Sequence, residues 1–114
     1  MKMYIYCDFP SELVGNFKKK ISLGNKEGGI SAWSVDKDGD FTHESKQISN
    51  RIFLRATVRE KTSQSAAALI FEARQYLDVT EVDKAFARKE IMGNILATFI
   101  DHFSDQFTSA AYYK

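Results

Sequence analysis

The stretch from residue 81 to residue 107 repeats its apolar residues at the spacing of an α-helix, and this pattern constrains the fold more than any other. At about 100° per residue, one stripe of the predicted helix is apolar and the opposite side is acidic. We expect Thr80 to cap the helix, with Glu81 and Asp83 in the first turn, where the helix dipole favours acidic residues. The apolar stripe consists of Ala85, Met92, Leu96, Phe99, Phe103 and Phe107.

The apolar arc of this predicted helix is wider than contact with one sheet requires. Phe86 and Ile100 widen it on one flank, and Ile91 and Ile95 widen it on the other. Large uncovered apolar patches on a protein surface mark interaction sites. These four residues are therefore predicted to contact a partner, and the N-terminal segment of the same chain is the alternative cover.

Two neighbouring stretches show the alternation of β-strands. Residues 51–60 alternate between an aliphatic face and a face that carries arginine, and a turn-like loop follows at 61–65. Residues 66–77 alternate again around Leu69 and Phe71, although the three alanines at 66–68 make a helix the alternative. We expect a strand there, since a partner strand lies next to it in the sequence. The aliphatic face of the first strand consists of Ile52, Leu54, Ala56 and Val58.

Residues 30–46 predict a β-hairpin with an acidic, glycine-containing turn. A two-residue type I′ turn would pair Val35 with Thr42. A three-residue loop with its glycine in the left-handed conformation would pair Val35 with Phe41 and place both on one face with Trp33. We expect the second register, because a slip of one residue would divide this apolar set between two faces.

Shorter elements are predicted at both ends of the chain. Residues 2–8 alternate in polarity as a strand does, and Pro10 ends that strand. Ser11 is predicted to cap a short N-terminal helix. Residues 109–113 form either a last short strand or a frayed end.

The fold class that follows is α+β, with one domain over residues 1–114. We expect an antiparallel sheet of about five strands with one long C-terminal helix packed across one face. A short N-terminal helix completes the predicted architecture.

Composition excludes several classes of protein. The formal net charge is +1, so the chain lacks the global positive field that recruits nucleic acid or an anionic membrane. Cys7 is the single cysteine, which rules out an internal disulfide and fits a reducing compartment. The first residues contain no apolar signal-peptide core, and no stretch approaches the roughly 20 apolar residues of a membrane span. We therefore expect a cytoplasmic protein that does not bind membranes.

Catalysis has no positive support in the sequence. His43 and His102 do not match zinc-ligand spacing, and we expect both to be structural. Cys7 alternates into the core and has no helix N-terminus directly after it, so we expect a buried, inert thiol. The acidic residues 36–40 and Glu44 do not have the spacing of an EF-hand loop. We predict no catalytic residue, no metal site and no cofactor.

A row of arginines on the 51–60 strand is the strongest polar feature. Arg51, Arg55 and Arg59 recur every four residues and stand roughly 13 Å apart along a strand. Phe53 lies between the first two, and Tyr76 is predicted to flank the row on the neighbouring strand. Such a row fits an acidic protein surface or RNA, and a solvated sheet face paired with Glu60 and Glu72 is the simpler alternative.

The sequence therefore favours a small non-enzymatic protein-binding module of inhibitor, immunity or adaptor type, which could act as a homodimer. An RNA- or DNA-binding protein that uses the arginine face is the alternative. A small-molecule-binding domain is the second alternative, with a cleft lined by Trp33, Tyr4, Tyr6 and His43. The predicted partner surface comprises Arg51, Phe53, Arg55, Arg59, Tyr76, Phe86, Ile91, Ile95 and Ile100.

Overall fold

The computed structural model describes residues 1–46, 48–76 and 81–114, without the side chains of residues 81–84. Within these residues it contains a six-stranded antiparallel sheet of order β2-β3-β4-β5-β1-β6 and two helices. The predicted α+β class is confirmed, with one strand more than the five expected. The elements in chain order are β1 (Lys2–Tyr6), α1 (Pro10–Leu23), β2 (Trp33–Val35), β3 (Phe41–His43), β4 (Ile52–Arg59), β5 (Ala68–Gln75), α2 (Glu81–Phe103) and β6 (Ser109–Tyr113).

The β2–β3 hairpin has the predicted register. Val35 pairs with Phe41, and Trp33 pairs with His43. Gly39 takes a φ of 84°, the left-handed conformation that the three-residue loop requires. The backbone N–H of Asp36 donates to the carbonyl oxygen of Asp40 at 2.9 Å and closes the loop.

The β4–β5 pair confirms the strand expected in residues 66–77 and rules out the helical alternative. Leu54 lies opposite Ala73, and Val58 lies opposite Leu69. Leu69 and Phe71 are fully buried at alternate positions. A helix would spread these two side chains by about 200°, whereas a strand directs both into the core.

The N-terminal strand β1 lies inside the sheet, between β5 and β6. Ile5 pairs with Leu69 on one side and with Ala110 on the other. The backbone N–H of Thr108 donates to the carbonyl oxygen of Tyr6 at 2.9 Å, just before β6 begins. The chain after α2 is therefore a strand of the sheet and not a frayed end.

Helix α1 begins at Pro10, and the predicted cap by Ser11 is wrong. Proline fits the first helical position because its fixed φ is helical and its missing N–H has no partner there. The residue before it, Phe9, makes no side-chain capping bond. The hydroxyl of Ser11 instead donates to the Glu60 carboxylate at 3.2 Å.

Helix α2 contains 23 residues and ends at Phe103, four residues before the predicted end at Phe107. A turn follows, in which the backbone N–H of Gln106 donates to the carbonyl oxygen of Phe103 at 2.9 Å. This turn directs the chain back towards β1. Phe107 still contacts the helix, with its ring 6.5 Å from that of Phe99. The predicted cap, Thr80, lies outside the described residues.

Both helices pack on the same face of the sheet, and Phe17 of α1 lies at the centre of the core between them. Its ring stacks on Phe41 of the sheet at 4.8 Å. It also contacts Phe71 at 6.1 Å and Phe99 of α2 at 5.1 Å. One α1 side chain therefore joins the sheet to the second helix, which makes the N-terminal helix part of the core.

The side of α2 that faces the core includes Met92, Phe99 and Phe103 of the predicted stripe, but it extends further to one flank than expected. Ile91 and Ile95 are fully buried, so their assignment to a partner surface is wrong. Phe86 and Ile100 are 51% and 52% exposed, on the other side of the helix. The indole N–H of Trp33 donates to the Thr98 hydroxyl at 2.9 Å and helps to set this rotation.

Candidate functional site on the open face of the sheet

The face of the sheet opposite the helices is here called the open face, since no described helix packs on it. Side chains on β-strands alternate between the two faces, so the residues next to buried ones point to the open face. These residues form rows across neighbouring strands: Arg55 lies beside Glu72 and Lys2, and Thr57 lies beside Ile70 and Tyr4. The open face comprises Lys2, Tyr4, Tyr6, Phe53, Arg55, Thr57, Arg59, Ile70, Glu72, Arg74 and Tyr113.

Three tyrosines, here called the tyrosine patch, gather at the β1–β6 side of the open face. The ring of Tyr4 lies 5.0 Å from that of Tyr113 and 5.9 Å from that of Tyr6. The hydroxyls of Tyr6 and Tyr113 share a hydrogen bond of 3.4 Å, which raises the pKa of Tyr113. The patch thus presents adjacent aromatic rings with polar hydroxyl ends.

Arg59 connects the tyrosine patch to β4. Its guanidinium carbon lies 5.4 Å from the centre of the Tyr4 ring, within the range of a cation–π contact. Its Nε donates to the carbonyl oxygen of Ala66 at 3.0 Å, which holds the side chain against the sheet. These two contacts within the chain therefore fix the orientation of the Arg59 side chain.

Ion pairs occupy the middle of the open face. Arg55 donates two hydrogen bonds to the Asp40 carboxylate, from Nε at 3.1 Å and from Nη2 at 3.0 Å. Hydrogen bonding to Asp40 and the negative charge of Asp40 raise the pKa of Arg55. Glu72 lies 2.7 Å from Arg74 and 3.6 Å from Lys2. Burial alone would raise the pKa of Glu72, but the hydrogen bonds and charges of these two cations outweigh it and lower that pKa.

A shallow cleft of about 490 Å³ lies where β4 and β5 approach α2, and it is here called the arginine cleft. Phe53 forms one wall, and its ring lies 5.0 Å from that of Tyr76. Arg55 lies 5.9 Å from the centre of the Phe53 ring. Burial raises the pKa of Tyr76, and the nearby carboxylates of the hairpin turn add to this effect. The lining of the cleft comprises Phe53, Arg55, Ala73, Arg74, Gln75 and Arg88.

The structure divides the predicted partner surface among three places. Phe53, Arg55 and Arg59 lie on the open face, with Tyr76 packed against Phe53. Arg51 lies half-buried just before β4. Phe86 and Ile100 lie on the exposed side of α2, while Ile91 and Ile95 are in the core.

The predicted small-molecule cleft does not form, because its four residues lie on opposite faces of the sheet. Trp33 is buried on the helix-covered face, with its ring 4.9 Å from that of His43. Tyr4 and Tyr6 belong to the open face. Burial lowers the pKa of His43, so its neutral form is favoured.

Sequence reasoning did not find the tyrosine patch, the Arg55 partner Asp40, or Arg88. The alternation in residues 2–8 already placed Tyr4 and Tyr6 opposite the apolar residues, and this signal pointed to an exposed pair. Nothing local indicated Tyr113 as their neighbour, because β6 reaches β1 only in the folded sheet. The predicted cross-strand partner Glu72 does lie opposite Arg55, yet Glu72 binds Arg74 and Lys2.

A second pocket, of about 460 Å³, lies between the start of α1 and the turn after α2. Its lining includes Cys7, Phe9, Glu12 and Asp105, and none of its described lining residues is a histidine. Burial raises the pKa of the Cys7 thiol, which keeps it protonated at neutral pH. Burial therefore favours the neutral thiol of Cys7 over the thiolate, which is the more nucleophilic form.

The described residues contain no group of three or more histidine, cysteine, aspartate or glutamate side chains placed to bind a metal ion. None of the described helices combines the length and the hydropathy that a membrane-spanning segment needs. Comparisons with protein-family models, with curated proteins and with solved structures found no match to this chain.

Proposed function

We propose that this chain is a non-enzymatic protein-binding module of the inhibitor, immunity or adaptor type, and that its partner docks on the open face. The observation that carries the proposal is the tyrosine patch on a sheet face that no described helix covers. Tyrosine and arginine are over-represented among the residues that contribute most to protein–protein binding. The tyrosine rings supply contact area at a small cost in side-chain entropy, and their hydroxyls supply hydrogen bonds.

The charges of the open face favour a protein partner over nucleic acid. Arg55 is already paired with Asp40, and Arg74 is paired with Glu72. This pairing leaves fewer guanidinium groups free to contact the successive phosphates of a nucleic-acid backbone. A protein surface can place apolar groups beside such pairs and direct its own carboxylates to the remaining cations.

The same charges favour a partner different from this chain. The open face carries four cationic side chains, Lys2, Arg55, Arg59 and Arg74, against the two carboxylates of Asp40 and Glu72. Two copies that met through this face would place like charges against each other. An acidic partner surface would instead be attracted, so we propose an acidic protein as the occupant and treat a homodimer as a competing outcome.

The experiment compares matched variants of the two exposed aromatic surfaces. The variant Tyr4→Ser/Tyr113→Ser changes the open face, and Phe86→Ser changes the exposed side of α2. Proteins captured by the wild-type chain are purified and mixed with each variant, and the stoichiometry and Kd are measured by calorimetry. We expect a saturable 1:1 complex that the open-face variant weakens at least tenfold and that Phe86→Ser leaves unchanged.

Hydrogen exchange of the purified complex provides a second measurement. Added protection is expected in β1 and β6 under the tyrosine patch. A complex that protects α2 instead, or one that both variants bind equally well, would contradict the proposal. A stable homodimer that excludes the captured protein would also contradict it.

Single-stranded RNA is the second candidate, and the Arg59–Tyr4 contact is the observation that favours it. Bases stack on exposed aromatic rings, and arginine contacts both bases and phosphates. Fluorescence anisotropy of a labelled oligouridine at low and moderate salt tests this candidate. Binding that weakens with salt and with Arg59→Gln would favour RNA over the protein partner.

A further inference from the structure

The arginine cleft gathers three guanidinium groups beside an aromatic wall. Arg55 and Arg74 reach it from the sheet, and Arg88 reaches it from α2. Arg88 donates a hydrogen bond to Oε1 of Gln75, which connects the helix to the end of β5. Phe53 lines the cleft beside them.

The three cations of the cleft are only partly neutralised. Arg55 binds Asp40, and Arg74 binds Glu72, whereas the partner of Arg88 among the described residues is the neutral Gln75. Among the described residues of the cleft, three guanidinium groups lie against two paired carboxylates, which leaves one surplus positive charge. Glu72 also lies 3.6 Å from Lys2, which reduces its share for Arg74.

The surplus charge is concentrated on the side of Arg74 and Arg88. The acidic β2–β3 turn lies on the opposite side of the cleft. There the pKa of Arg55 is raised mainly by Asp40 and further by the negative charges of Asp38 and Asp36. Each guanidinium has five N–H donors, and the hydrogen bonds of the two arginines use only part of them. Within the described part of the chain the remaining donors have no partner, so they are available to an oxyanion from outside.

We infer that the arginine cleft binds a carboxylate that is joined to an apolar group, supplied by an acidic side chain of the protein partner. A monovalent carboxylate matches the single surplus charge, whereas a dianionic phosphate exceeds it. Guanidinium binds carboxylate with two parallel hydrogen bonds, and the Phe53 ring offers contact to the adjacent apolar group. The inference rests on the proposed function and assigns to the cleft the anionic part of that same interaction.

The experiment uses the free protein and small acids, so it does not require the partner. Backbone amide resonances are followed by NMR during titration with sodium benzoate, sodium acetate or inorganic phosphate at constant low ionic strength. We expect saturable shifts at Phe53, Arg74, Gln75 and Arg88 with benzoate. The ring of benzoate should lower its Kd about two- to tenfold relative to acetate, as expected for one aromatic contact.

Three variants provide the controls. Arg74→Gln and Arg88→Gln should each raise the benzoate Kd about two- to fivefold, the size expected for one exposed ion pair. Arg59→Gln removes the same charge from the open face outside the cleft and should leave the Kd unchanged. Net charge is equal in the three variants, so a difference among them reports the location of the site.

Equal weakening by all three variants would show only a non-specific charge effect and would overturn the inference. Tighter binding of inorganic phosphate than of benzoate would also overturn it, because it would assign the cleft to phosphate. If the cleft does not bind benzoate while the tyrosine patch still binds its partner, the carboxylate site is refuted and the proposed function stands. The proposed function fails instead if Phe86→Ser abolishes the complex. It also fails if neither Phe86→Ser nor Tyr4→Ser/Tyr113→Ser weakens the complex.

Discussion

Arg55 holds the carboxylate of Asp40 with two hydrogen bonds, of 3.1 and 3.0 Å, and Asp40 is only 5% exposed. Among the described residues, Asp40 is the one charged residue that is buried. It lies at the end of the β2–β3 turn, next to Phe41, and Arg55 projects from β4. The pair therefore joins the hairpin to the middle of the sheet through a contact on the open face.

We predict that Arg55→Met destabilises the protein, because it leaves the buried Asp40 carboxylate without its charged donor. Loss of that donor costs about 1–3 kcal/mol at the Asp40 site. The matched control is Arg74→Met, whose partner Glu72 is 31% exposed, and it should cost about 1 kcal/mol or less. Urea unfolding of the two variants measures the difference, and equal losses would show that Asp40 does not depend on Arg55.

A second prediction concerns the aromatic centre of the core. Phe17→Ala should lower the free energy of unfolding by about 3–5 kcal/mol, because it removes a fully buried ring that contacts Phe71 of the sheet and Phe103 of α2. Phe86→Ala removes the same atoms from a side chain that is half-exposed and should change stability by about 0.5 kcal/mol or less. Thermal unfolding of the pair is the measurement. A small loss in Phe17→Ala would contradict the central position of α1.

Replacing either of two glycines with alanine should change the free energy of unfolding, with opposite signs at the two positions. Gly39 has a φ of 84°, so Gly39→Ala should destabilise the hairpin by about 1–2 kcal/mol. Gly93 lies in α2 with nothing within 4 Å of an added Cβ, so Gly93→Ala should stabilise the protein by about 0.5–1 kcal/mol. Chemical denaturation of both variants checks the signs. If Gly93→Ala were destabilising, the exposed position of this side of α2 would be wrong.

We predict that the free energy of unfolding decreases as the pH falls, because His43 is buried in its neutral form. Burial lowers its pKa in the folded state, while the charges of Glu44 and Glu90 oppose this shift to a smaller extent. Nδ1 of His43 also accepts the backbone N–H of Ser45 at 3.1 Å, which requires an unprotonated nitrogen. Below the unfolded pKa of about 6.5, the unfolded chain binds a proton more readily than the folded one, so stability decreases.

The measurement for His43 is the free energy of unfolding between pH 7.5 and pH 5.5, above the range in which most carboxylates titrate. The variant His43→Gln should show a smaller decrease over this interval than the wild-type protein. Equal slopes in the two proteins would mean that His43 has the same proton affinity in the folded and unfolded states.

The strands could be predicted from the sequence because their signal is local. Alternation in residues 51–60 and 66–77 placed Leu54, Leu69 and Phe71 on the covered face before any pairing was known. The hairpin register followed in the same way, since only one pairing kept Val35 and Phe41 together. These predictions needed no information from distant parts of the chain.

The rotation of α2 and the composition of the candidate site could not be predicted in this way. A helix with a wide apolar arc can be buried in more than one rotation, and contacts with Phe17 and Trp33 selected the one that buries Ile91 and Ile95. The end of α2 at Phe103 likewise follows from a turn that returns the chain to β1. The arginine row was found, but Asp40, which binds Arg55, lies in a turn, and Tyr4, which contacts Arg59, lies on β1.

The sequence alone indicated the two helices and the covered faces of the strands in residues 30–46, 51–60 and 66–77, because side-chain periodicity is a property of a few neighbouring residues. Only the tertiary structure decided that β6 pairs with β1, that Tyr113 joins Tyr4 and Tyr6, and that Asp40 binds Arg55. These contacts join residues that are 15 to 111 positions apart in the chain. Such contacts depend on how the strands and helices pack around Phe17, and no local sequence pattern encodes that arrangement.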